Sequence, residues 1–109
     1  MEYINEKDAM ARLSNNKKLY LMLLKKFDGK PMIDGLLAQI DSGDVTAAEA
    51  TAHTIKGLAA NLSLADLREK AETIDAQLKK GDINVDTADI KESMNQTIEA
   101  VKTWIAENS

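Results

Sequence analysis

Apolar residues recur along this chain at helical spacing and nowhere at strand spacing, which limits the fold more than any other feature. Leu67, Ala71, Ile74 and Leu78 are three or four residues apart, as are Ile33, Leu36, Leu37 and Ile40. Ile90, Met94, Ile98, Val101 and Ile105 mark a last stripe, and Leu19 or Tyr20, Leu23, Leu24 and Phe27 an earlier one. Short breaks separate them: "FDGKP", "DSGD" and "KKGD", the last a lysine-glycine helix stop. A short amphipathic piece, "INEKDAMARL", precedes "SNN", whose asparagines can cap the next helix. Pro31 suits a first helical position. The pattern predicts an all-α fold, an antiparallel four-helix bundle with short additional N-terminal helical pieces. A length of 109 residues predicts one domain over 1–109.

The composition narrows the chemistry. Aromatics are few, so Leu, Ile, Ala, Met and Val must fill the core. A net charge of -4 argues against a nucleic-acid partner, since phosphate contacts need clustered Lys and Arg. With no cysteine there is no disulfide, thiolate metal site or Cys nucleophile. Neither a signal peptide nor a membrane-spanning run is visible, the longest apolar run being Leu19 to Leu24. A cytoplasmic, monomeric protein, or a cytoplasmic part of a larger one, is the expectation.

One stretch stands apart. "AHTIKGLAANLSL" contains the single histidine, His53. "TAAE" at Thr46 to Glu49 reads as a capping box, which would start this helix near Thr46 and put His53 two turns inside it. On a helical wheel Ala48, Ala52, Ile55, Ala59 and Leu62 form the apolar stripe, and His53 lies about 140° from its centre. Lys56, Gly57, Ala60 and Asn61 share the histidine's face, which is small or polar throughout. Gly57 is informative, because glycine inside a helix costs roughly 0.8–1 kcal/mol relative to alanine. Opposite the apolar stripe, it leaves the backbone bare for a partner, although a tightly crossing helix would also explain it. Like-charge repulsion from Lys56 favours a neutral, nucleophilic imidazole, and the same ammonium would attract phosphoryl oxygens on that ring. An ordinary solvated lysine is the plainer alternative.

With those residues in view, the stretch resembles the signature of histidine-containing phosphotransfer (HPt) domains. Ala52, His53, Ile55, Lys56, Gly57, Ala60, Asn61 and Leu62 match it at its spacing. "KKLYLMLLKKF" and "AETIDAQLKKGD" extend the similarity over nearly the whole chain. The resemblance implies a four-helix bundle whose His53 accepts a phosphoryl group at Nε2 from a receiver-domain aspartate and passes it to another receiver. Lys56 would stabilise the phosphoryl group, Gly57 would give the partner access, and Ala60 and Asn61 would belong to the binding face. Asp75 and Lys79 would lie on the next helix near His53, one orienting the imidazole and the other contacting phosphate. An ordinary surface i, i+4 pair, contributing about 0.2–0.5 kcal/mol, is the competing reading of those two. The partners implied are response-regulator receivers, with a hybrid sensor histidine kinase a possible larger context. No cofactor or metal is expected on this chain, because Mg²⁺ would belong to the receiver. "DSGDVTAAE" fails the EF-hand spacing, so calcium is not expected either.

Two positions depart from the family pattern. Ser63 stands where glycine is usual, and "SLAD" suggests that it caps the following helix instead. Leu58 stands where a small residue is common, on the flank of the apolar stripe. Three alternatives stay open: a non-catalytic helical interaction module, the phosphoacceptor domain of a chemotaxis-type histidine kinase, and a hydrolase or isomerase with His53 as general base. The last lacks a visible orienting partner for the histidine.

Overall fold

The computed structural model describes residues 2–109 and is entirely helical among them. Six helices follow in order: α1 (Glu6–Arg12), α2 (Lys17–Lys25), α3 (Gly29–Asp41), α4 (Val45–Asn61), α5 (Ala65–Lys79) and α6 (Ala88–Asn108). Helices α3 to α6 form the bundle: α3 packs on α4, α4 on α5, α5 on α6, and α6 closes the ring on α3. The short α1 and α2 stack at one side, with α2 against α6. No helix among the described residues is long and apolar enough to cross a membrane.

The predicted stripes supply the core. Ala48, Ala52, Ile55, Ala59 and Leu62 are buried, as are Leu67, Ala71, Ile74 and Leu78 facing them from α5. Small side chains on α4 let α5 approach closely, which later matters for the side chains between them. Ile33 and Leu36 of α3 and Ile90, Met94 and Val101 of α6 complete the interior. The N-terminal pieces are tied on by polar contacts. Tyr20 is buried and donates its hydroxyl to the Leu62 carbonyl at 2.6 Å, burial pushing its pKa up to about 12. Its ring meets Trp104 edge-on at 5.0 Å, and the Trp104 indole donates to Glu6 Oε1 at 2.9 Å.

Three expected helix boundaries need correction. Helix α4 is capped by Asp44, whose carboxylate accepts from the Ala47 amide at 3.0 Å, and not by Thr46. The reason lies in the turn before it. Gly43, at φ +77°, occupies the left-handed position after α3, with Gly43 N–H bonded to Ile40 O and Asp44 N–H to Gln39 O. That closure delivers Asp44 directly to the N-cap of the next helix. Glu49 is thereby freed from any capping role. Helix α3 begins at Gly29 after Asp28, so Pro31 is its third residue, still within the first turn where no amide partner is needed.

The third correction concerns Ser63, which does not cap α5; Leu64 holds that position. Ser63 sits at φ +56° and ends α4, with its own amide on Ala60 O and the Leu64 amide on Ala59 O. This is the site of a helix end that glycine ordinarily fills, because a side chain is strained there. Ser63 is held in place by its hydroxyl, which donates to Asp8 Oδ2 at 2.6 Å, and by its carbonyl, which accepts from the Asn5 amide. Ser63→Ala keeps the strain and loses the hydroxyl bond, so its Tm is expected to drop by about 5 °C. Ser63→Gly loses the bond but also the strain, and is expected to melt within a few degrees of the parent, as thermal unfolding of the pair would show. Leu58 is half-buried against the core.

Candidate functional site

Helix α4 carries His53 outward near its middle, with a side chain 62% exposed. Gly57, one turn further along the helix, leaves its backbone bare. A Cβ built on Gly57 meets nothing within 4 Å, so the tightly crossing helix that might have explained this glycine is not there. Gly57→Ala is expected to raise stability by about 0.5–1 kcal/mol, since only helix propensity changes. Chemical denaturation checks that value.

Beneath the imidazole lies a carboxylate from α5. Asp75 is buried, 1% exposed, and its Oδ2 gathers three groups. Lys56 Nζ is 2.9 Å away, Lys79 Nζ 3.1 Å and His53 Nδ1 3.7 Å. The i, i+4 pair of Asp75 and Lys79 forms, but its placement on the surface is corrected: this carboxylate is interior, enclosed between α4 and α5. Burial works to raise its pKa, but the Lys56 bond, then Glu49 and Lys79, overcome it and hold Asp75 well below the usual carboxylate range. Lys56 is raised in turn, chiefly by its bond to Asp75 and against partial desolvation. Lys56 is thus not a bare cation beside the imidazole, as its spacing alone suggested; its charge is already paired with Asp75.

The geometry distinguishes the two ring nitrogens. Nδ1 lies 3.7 Å from Asp75 Oδ2, just beyond hydrogen-bond reach, while the side chain as a whole is largely exposed. In the neutral tautomer with its proton on Nδ1, toward that carboxylate, Nε2 keeps the free lone pair. What the cluster can do chemically is present one imidazole nitrogen, with two ammonium groups nearby to meet an anion.

His53, Lys56, Asp75 and Lys79 come together; the other expected residues do not join them. Gly57 lies beside the cluster as open backbone. Ala60 and exposed Asn61 lie further along α4, Ala60 lining a cleft with Asn5, Asp8, Ser63 and Arg68 at the helix end. On the other flank of His53, Ala50 and Thr54 of α4 and Pro31 and Gly35 of α3 line a shallow groove.

Sequence reasoning missed Glu49. It belongs to the same cluster: one ligand-type atom each of Glu49, His53 and Asp75 lies within 4.8 Å of the others. The signal was available, because Glu49, His53 and Lys56 are at i, i+4 and i+7 and so share one helical stripe.

Comparison with known proteins gives a family model described as "Hpt domain", which matches residues 28–104, from the cap of α3 to Trp104 of α6. No curated protein and no solved structure matches significantly.

Proposed function

This chain belongs to the Hpt domain family, and from that premise we propose that it is a phosphoryl carrier in which His53 is the phosphoacceptor. Family membership implies histidine phosphotransfer within a phosphorelay. The finer reading is that His53 takes a phosphoryl group from a receiver-domain aspartate and yields it to a second receiver. It rests on one observation: an exposed imidazole near an open glycine, with Nδ1 3.7 Å from a buried carboxylate.

The step balances as a simple displacement. The Nε2 lone pair attacks phosphorus in the receiver's acyl phosphate, the N–P bond forms, the P–O bond breaks, and the receiver's carboxylate leaves. The attacking ring gains positive charge, which the Asp75 carboxylate near Nδ1 offsets, as a buried Asp does for a catalytic histidine elsewhere. Lys56 and Lys79 flank the same carboxylate and would meet the phosphoryl oxygens from below. No cofactor on this chain is required by that chemistry; Mg²⁺ would be the receiver's. The whole chain would act as one monomeric cytoplasmic domain, free-standing or within a hybrid sensor kinase.

Incubation with a panel of phosphorylated receiver domains tests the reading. At least one receiver is expected to transfer its label to this protein; no transfer from any of them would overturn it. Docking along the Gly57 face adds a second test. Gly57→Arg is expected to fold normally, because the side chain has open space, yet to slow transfer about tenfold or more by displacing the receiver. An unchanged rate would place docking elsewhere.

A further inference from the structure

Two buried oxygens at the centre of the site have no hydrogen-bond donor: Glu49 Oε2 and Asp75 Oδ1. Their carboxyl groups approach each other across the α4–α5 contact, one oxygen of each lying within 4.8 Å of the other. Two bare carboxylates in that position would repel, and each would be a desolvated acceptor without a partner. One proton between them converts both faults into a single hydrogen bond.

A divalent cation could in principle take the same place, since Glu49, His53 and Asp75 are all ligand types. The charge already present decides against it. Lys56 and Lys79 are both bonded to Asp75 Oδ2, and a dication would sit against two ammonium groups. A proton adds only one charge and needs no coordination shell.

We propose that Glu49 is a positioning residue, donating a carboxyl proton to Asp75 Oδ1 and so holding Asp75 Oδ2 toward Lys56, Lys79 and the His53 ring. The role rests on the reading of His53 as phosphoacceptor, and deepens it. The proton belongs on Glu49 and not on Asp75 because Asp75 alone has the two lysines. In agreement, hydrogen bonding to Asp75, then burial, then the Asp75 charge raise the Glu49 pKa from its ordinary value, with Lys79 and His53 opposing. Charge counting shows the benefit. With Glu49 neutral, Asp75 is outweighed by two lysines and the cluster is net positive toward an incoming phosphoryl group; with Glu49 ionised it is balanced.

The charged groups facing Glu49 are His53 and Lys56 on its own helix and Asp75 and Lys79 on α5, with Glu72 of α5 acting on Lys56. On α3, the other neighbour of α4, Lys30 and Asp34 pair with each other and Asp41 is exposed. As pH rises through the raised Glu49 value the shared proton is lost, so transfer should decline with rising pH over that range.

The test combines a titration with kinetics. Carboxyl ¹³C NMR of the full chain should give Glu49 a midpoint above that of an ordinary glutamate, returning toward it in Asp75→Asn. Phosphoryl uptake from a phosphorylated receiver should fall roughly threefold to tenfold in Glu49→Ala. Glu49→Gln, whose amide can donate permanently to Asp75 Oδ1, should recover most of that loss and flatten the pH profile. An ordinary Glu49 midpoint, or Gln and Ala variants that behave alike, overturns the proposal. The NMR titration needs no phosphotransfer, so a failure of the phosphocarrier reading would be told apart from a failure of this one.

Discussion

His53→Gln is expected to reduce phosphoryl uptake to background while leaving the protein folded. The chemical character of the label carries as much information as its loss. A phosphoramidate cleaves readily once its nitrogen is protonated, so the label on the parent protein should be acid-labile and base-stable. An acyl phosphate on one of the chain's many carboxylates would instead be lost in base, and a serine or threonine ester would survive acid. The single histidine makes the assignment clean, since no second imidazole can substitute. The fold should not respond, because the ring is largely exposed and its nearest ionic neighbour, Asp75 Oδ2, is 3.7 Å away. A surface substitution of this kind changes stability by about 0.5 kcal/mol or less, so Tm should move by no more than about 4 °C. Label that persists in the variant with the same acid and base behaviour would remove His53 from the mechanism. Loss of label together with unfolding would be uninformative about chemistry, and circular dichroism on the same sample excludes it.

Much of the fold was legible because one physical signal dominates it. On α4 the apolar residues Ala48, Ala52, Ile55, Ala59 and Leu62 leave no doubt about which face is buried, and His53 is turned outward by the same geometry. What was not legible depended on contacts between segments. Thr46 and Asp44 are both good N-cap residues two positions apart, and the choice is made by how the turn at Gly43 closes on α3. Ser63 looks like a cap in local sequence; its left-handed backbone is tolerated because Asp8, far away in the chain, accepts its hydroxyl bond. Asp75 follows Ile74 at the edge of an apolar stripe, where an acidic residue normally reaches water. It stays inside because α4 supplies Lys56 to pair with it, together with Lys79 from its own helix. Glu49 was obscured by a local motif, the capping box, that explained it too cheaply.

Asp75→Asn is expected to have the largest combined effect on stability and transfer, because one carboxylate serves both. Its Oδ2 compensates Lys56 and Lys79, and an amide of the same shape removes that charge while keeping the volume. Fully buried pairs lose about 3–5 kcal/mol when one partner is removed, but here Lys56 is 26% and Lys79 52% exposed and both can turn to water. A loss of about 2 kcal/mol, seen as a Tm lower by roughly 10 °C, is therefore the expectation. Its pH dependence identifies the cause. A depressed native pKa means that the Asp75 charge stabilises the fold above its unfolded value of about 3.9. That contribution disappears as pH falls from there through the lower native value. Glu49 runs the other way, its raised value stabilising in acid and losing that contribution as pH rises. The gap between the parent and the Asn variant should thus be widest above the unfolded Asp value of about 3.9 and below the raised Glu49 value. It should narrow as Glu49 ionises, and close as pH falls below about 4. A gap in Tm that stays constant with pH would mean that packing, not charge, is what Asp75 provides. Transfer should also slow about tenfold, since the ring that becomes positive during attack loses the carboxylate under Nδ1. If stability falls as expected and transfer does not, Asp75 holds α4 and α5 together but takes no part in orienting His53.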